Sequence, residues 1–261
     1  MNKLIYLALL FFLFACQDEA PSICDQLDST LTSEKIFSAD TCSKDSRLPV
    51  AALLAYNQAG DLISSCSGAL ISINDVLTAG SCLNVLSDPA LDVYYVYLDG
   101  RFFNIAGSTA HPNFTGLEGD PHNIAIISLT ESVPLPPLPI LKSRKLDIGE
   151  KIRVLGFGLN DDNLEREIGP EDLRAAQMQI NSDINGVYIA ESGSNKSFTC
   201  NGDEGGPGIV SQNGVLAIAS ITGTSPANCS SADSLNSNFV SLFLNQNLDF
   251  ILTLVPDAST L

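Results

Sequence analysis

Asp203 and Glu204 are adjacent carboxyls inside a glycine-rich stretch, Cys200-Asn201-Gly202-Asp203-Glu204-Gly205-Gly206-Pro207. Ser81 is a hydroxyl beside a cysteine, and His111 and His122 are the only imidazoles of the chain. Two acids can carry general acid–base chemistry, glycoside hydrolysis included, but that reaction needs its carboxyls about 5–9 Å apart across a sugar. A histidine can serve as a base, although the plainer reading of both is a loop or surface side chain. No C-x-x-C pair occurs, so a structural zinc site is not expected, nor any other metal or cofactor.

Such residues need a scaffold, and the composition supplies one. Apolar residues make up 45% of the 261 and charged residues only 16%, which is enough for a sizeable core and excludes a wholly disordered chain. Lys plus Arg number 13 against 30 Asp plus Glu, giving a net charge of −17. A surface this acidic argues against nucleic acid, whose binding rests on basic side chains.

The N-terminus reads as a targeting segment. Met1-Asn2-Lys3 is a short positive start, residues 4–15 are an apolar run, and Cys16 follows. That run is too short for a permanent membrane helix, which needs about 20 residues, and fits the apolar region of a signal peptide. Leu13-Phe14-Ala15-Cys16 resembles the bacterial lipoprotein signal, which implies cleavage before Cys16 and a lipid on its thiol. Gln17, not Asp, follows Cys16, so an inner-membrane retention signal is missing. The expectation is a lipid anchor at Cys16 in the bacterial cell envelope, at the outer membrane. Cysteine parity agrees: of seven cysteines, lipidation of Cys16 leaves six, enough for three disulfides.

Residues 16–45 are polar and acidic and read as a tether after the signal peptide of 1–15. From residue 46 short apolar runs alternate with turn signals, the texture of an all-β domain. Strands are expected near 49–56, 62–71, 75–79, 92–98, 101–107, 123–129, 151–157, 174–181, 186–190, 207–211, 214–221 and 237–243. The Pro-rich run 133–139 cannot be a central strand and reads as a connector, near 131–141, between two β-rich halves. Apolar residues at 244, 248, 251 and 254 have helical spacing before Pro256.

Several motifs in order then carry a resemblance. The 200–207 stretch resembles the C-x-G-D-S-G-G-P motif of trypsin-like serine proteases, with Glu204 at the nucleophile's place. Cys66-Ser67-Gly68-Ala69-Leu70-Ile71 and Val76-Leu77-Thr78-Ala79-Gly80-Ser81-Cys82 resemble the family's C-x-G-x-L-I and L-T-A-A-H-C segments. His111-Pro112-Asn113-Phe114, the stretch from Asn123 to Leu129, and Gly156-Phe157-Gly158 complete the series. The resemblance implies two six-stranded β-barrels with a C-terminal helix over residues 46–261. It also implies disulfides Cys66–Cys82 and Cys200–Cys229, which leaves Cys24 and Cys42 as a third pair.

The family's chemistry needs a Ser nucleophile, a His base and an Asp that orients it. The matching positions here are Glu204, Ser81 and Asn123, so none of the three groups is in place. The family's acid before the nucleophile pairs with an ammonium freed by cleavage; Asp203 remains, but no Ile-Val-Gly-Gly motif precedes Pro49. Asp203 then either bonds to local backbone N–H groups or pairs with an Arg or Lys. The specificity-pocket position, acidic in trypsin, is Phe198, which would not recruit a basic side chain. The backbone N–H groups of Gly202 and Glu204 would form the oxyanion hole. The Glu204 carboxylate either folds back onto them, which would lower its pKa, or points into solvent. The reading is a lipid-anchored, non-catalytic protease homologue that binds an unknown protein or peptide. The alternatives are a hydrolase of the same family with altered catalytic residues, or a structural envelope component.

Overall fold

The computed structural model describes residues 40–41, 48–117, 119–158, 173–192, 198–225 and 236–261. The strands are β1 Asp40–Thr41, β2 Val50–Asn57, β3 Leu62–Leu70, β4 Asp75–Thr78, β5 Leu91–Leu98, β6 Arg101–Ala110, β7 Ala125–Leu129, β8 Lys151–Gly156, β9 Arg174–Ile184, β10 Val187–Ser192, β11 Pro207–Gln212, β12 Val215–Thr224 and β13 Asn236–Ser241. A 3-10 helix spans Gly80–Ser87, and helix α1 spans Asn245–Leu254.

Strands β2, β3, β4, β7, β6 and β5 close into one antiparallel barrel. Strands β8, β9, β10, β13, β12 and β11 close the second, because β8 pairs with both β9 and β11. All twelve strands expected from the sequence are present, and the two-barrel, all-β fold with its C-terminal helix is the one expected. Two elements were not foreseen. The 3-10 helix lies in the stretch that carries Ser81. Strand β1 pairs with β9 through Asp40↔Ala175 and Thr41↔Arg174, so the end of the expected tether is built into the second barrel's sheet.

Strand β2 shows why the sequence reads as runs rather than strict alternation. Residues Val50 to Ala55 are all buried, because one face fills the first barrel and the other is covered. One apolar cluster fills that barrel through Leu53, Leu70, Leu77 and Phe103, then continues across the seam to Leu155, Ile209 and Val240 of the second. A separate cluster around Met178, Tyr188 and Phe239 fills the second barrel. The connector is pinned to both. The Val133 and Leu138 N–H groups donate to Ile73 and Leu70 carbonyls of the first barrel, and Pro139 accepts from the Ile218 N–H of the second.

Cys66 on β3 and Cys82 in the 3-10 helix form the expected disulfide, 16 residues apart in sequence. Closing a loop of that length restricts the unfolded chain by about 3 kcal/mol. Replacing both cysteines with Ala is therefore expected to lower unfolding stability by about 3 kcal/mol in a denaturant titration. Cys200 is also disulfide-bonded. Its expected partner Cys229, and likewise Cys24, Cys42 and Cys16, lie outside the described residues.

Candidate functional site

The three triad positions come from three elements at the barrel seam. Ser81 is in the 3-10 helix, Asn123 lies two residues before β7, and Glu204 is in the loop that enters β11. Ser81 and Asn123 touch. The Ser81 N–H donates to Asn123 Oδ1 at 2.8 Å, and Asn123 Nδ2 lies 3.3 Å from Ser81 Oγ. Asn123 Nδ2 also donates to the Gly223 carbonyl at 2.9 Å. This is a site for an amide. A carboxylate at 123 could accept from Ser81, but it would set a second acceptor against the Gly223 carbonyl.

Glu204 folds back onto its own loop. Its Oε2 accepts the Gly202 N–H at 2.8 Å, so a carboxylate of the chain sits on one of the two donors expected for an oxyanion hole. Gly202 has φ +99°, a left-handed conformation that glycine adopts at low cost, and this aims its N–H at Glu204. The expected fall in the Glu204 pKa does not occur. Burial pushes it up and outweighs the opposing pull of its own N–H, the Gly202 N–H and Ser225.

Asp203 points away from Glu204's side of the loop, into the protein. It is 0% exposed. Its Oδ1 accepts the Gly158 N–H and its Oδ2 the Cys200 N–H, both at 2.8 Å. Burial, with a further push from the Glu204 charge, lifts it to about 7, while the two N–H groups and Arg174 pull it down. The two adjacent acids are thus separated by the turn between them, and Asp203 is committed to the interior, so they do not face each other across an open cleft. A side chain at Gly158 would put its Cβ 2.5 Å from the Asp203 carboxyl carbon. Gly158→Ala must therefore displace that carboxylate from its donors. The expected cost is about 3 kcal/mol, the upper range for overpacking, read from the shift of the denaturant midpoint.

Ser67 is a residue to which the sequence reading gave no role. It is fully buried on β3. Its Oγ donates to the Gly202 carbonyl at 2.8 Å and accepts the Phe157 N–H at 2.9 Å, and its N–H donates to the Glu204 carbonyl at 2.7 Å. One side chain and one N–H so fix the 200–206 loop against the first barrel. The only signal in the sequence is a serine at the head of the apolar run 68–71.

Both histidines lie in the loop between β6 and β7, as the plainer reading has it, although the ring of His111 is buried. His111 is 4% exposed and stacks on His122 with ring centroids 4.5 Å apart and planes 9° from parallel. His111 Nδ1 accepts the Asn113 N–H, so its proton is on Nε2, which faces the Gln246 carbonyl at 3.2 Å. Burial pushes its pKa down. His122 Nδ1 lies 3.0 Å from Asn247 Oδ1, whose amide nitrogen is taken by Pro121 and Ser241 carbonyls, so His122 is the donor. Both rings tie the 111–124 loop to α1 and neither is bonded to Ser81 or Glu204. Phe198 is buried in the second barrel's core cluster and carries no charge for a basic side chain. Among the described residues no group of three His, Cys, Asp or Glu could hold a metal ion.

Two closed antiparallel barrels, with the triad positions and a glycine-built anion loop at their seam, define the architecture of a chymotrypsin-type serine protease. The family model for trypsin matches residues 36–238, and the chain belongs to that family.

Proposed function

We propose that this protein is a non-catalytic member of the trypsin family, held by a lipid at Cys16 in the bacterial envelope, that binds a protein or peptide through its cleft loops. The observation that carries the reading is Glu204. A carboxylate on the Gly202 N–H occupies a donor that would have to receive a developing oxyanion, and it brings the wrong charge for that purpose. Asn123 supports it, since its amide is used as a donor to Gly223 where a base-orienting carboxylate would be needed. The direct test is purified protein against casein and a panel of unstructured peptides, with binding to the same peptides read in parallel. Binding without cleavage is the expected outcome.

The anchor rests on the residue pattern at 4–16 and on cysteine parity. Acyl chains give membrane affinity at about 0.8 kcal/mol per buried methylene. Cys16→Ala is expected to move the protein from the membrane pellet to the soluble fraction, or to leave an uncleaved, unlipidated precursor. Unchanged lipid labelling and pelleting of that variant would refute the anchor.

A further inference from the structure

Asp203 is a fully buried carboxylate, and two backbone N–H groups are not a counter-charge. The cation whose charge acts on it is Arg174, itself 5% exposed, at the start of β9. Three observations put the two on one structural unit. Arg174 Nη1 donates to the Gly158 carbonyl at 2.9 Å, while the N–H of the same Gly158 donates to Asp203. Across the β8–β9 pair Arg174 stands opposite Gly156, and directly opposed residues of an antiparallel pair project from the same face of the sheet. A Cβ added at Gly156 would run into Asp203 Oδ1, so that face is the one on which the carboxyl lies. Glycines at 156 and 158 leave the space that Asp203 fills, and Arg174 holds the Gly158 carbonyl at its edge.

We propose that Arg174 is a built-in counter-ion for Asp203, and that the pair sets the shape of the 200–206 loop as the chain folds, with no need for an ammonium freed by cleavage. Arg174 is then a positioning residue: it acts on Gly202 and Glu204 through Asp203 and Gly158. Strand β1 lies beside this place in the sheet, since Thr41 pairs with Arg174 in register. Among the described residues Glu204 also acts on Asp203 by its charge, and it opposes the carboxylate's charge. The inference goes beyond the proposed function and stands whether or not the protein cleaves peptides.

The test separates charge from packing and from the bond to Gly158. Arg174→Lys keeps the charge, and Arg174→Gln keeps a donor for the Gly158 carbonyl without it. The readout is the titration midpoint of the Asp203 carboxyl by NMR in the full, uncleaved chain, with amide exchange at Gly158 and Cys200 as the second measure. Loss of an opposite charge raises the titration midpoint of a carboxyl. Arg174→Gln is therefore expected to raise the Asp203 midpoint and to speed exchange of both amides, while Arg174→Lys stays close to the unmodified protein. A Gln variant that does not fold beside a Lys variant that does supports the proposal equally. Gln and Lys behaving alike, whether both intact or both unfolded, overturns it.

Discussion

Glu204→Ser is expected to leave peptide hydrolysis at background. A serine there would be a hydroxyl without a base. The neighbouring position is Ser81, and the two imidazoles of the chain are engaged elsewhere, His111 between Asn113 and Gln246 and His122 with Asn247. Residues of a triad act as a unit, and the loss of a single one already lowers the rate by about 10⁴-fold or more. The fairer trial is Ser81→His with Asn123→Asp and Glu204→Ser. It too is expected to fall orders of magnitude short of an active protease, because Asp at 123 would turn a carboxylate toward the Gly223 carbonyl that Asn123 Nδ2 now satisfies. The assay is release of a fluorophore from a peptide library by each variant. Hydrolysis by the unmodified protein that disappears in Glu204→Ala would overturn the non-catalytic reading.

The physical reason that the fold was legible lies in local signals. Each expected strand is a short apolar run closed by turn residues, and the structure moves the boundaries by only a few residues. The Cys66–Cys82 bridge followed from the family motifs that surround both residues. What local pattern could not reach was any contact made between distant elements. Ser67 bonds across 135 residues to Gly202, and Arg174 reaches the Gly158 carbonyl only because β8 and β9 pair in the register that sets it opposite Gly156. Strand β1 was hidden for a related reason: two residues have no period, and their pairing is decided by β9. His111 read as a loop or surface side chain because it sits in the His111-Pro112-Asn113-Phe114 turn, yet its ring packs on His122 and on Phe250 of α1, 139 positions away in sequence.

Glu204 shows how magnitude decides a case that pattern leaves open. Hydrogen bonds from its own N–H and from Gly202 favour the ionised form, which led to the expectation of a depressed pKa. The same fold-back that creates those bonds also removes the carboxylate from water, and desolvation is the larger effect. The carboxylate is therefore held in place by geometry at a cost in charge, and the Gly202 N–H is engaged by a side chain of the loop itself.

Asp203 gives the largest expected dependence of stability on pH. Its ordinary value is 3.8 and in the folded protein it is lifted to about 7. The folded state then holds a proton that the unfolded state has released throughout that window. Stability contributed by this group is present at and below the unfolded value and falls as pH rises from about 4 toward about 7. A lift of this size corresponds to about 4 kcal/mol once the group is fully ionised. Glu204, also raised by burial, pulls in the same direction. His111, Asp120 and Glu150 pull the other way, because their pKa values are lowered in the folded state and each loses stability as the solution is acidified. The raw pH curve mixes these contributions, so the informative measurement is a difference. Denaturant unfolding of the unmodified protein and of Asp203→Asn, run side by side from pH 4 to 8, is expected to show the variant's relative stability rising by about 4 kcal/mol toward the alkaline end. The absolute cost of Asp203→Asn at low pH reports the lost acceptor for Gly158 or Cys200, and it is constant across the range. A difference that does not change with pH would mean that Asp203 titrates at the same value folded and unfolded. That result would mean that the Arg174 charge and the two N–H bonds offset burial in full.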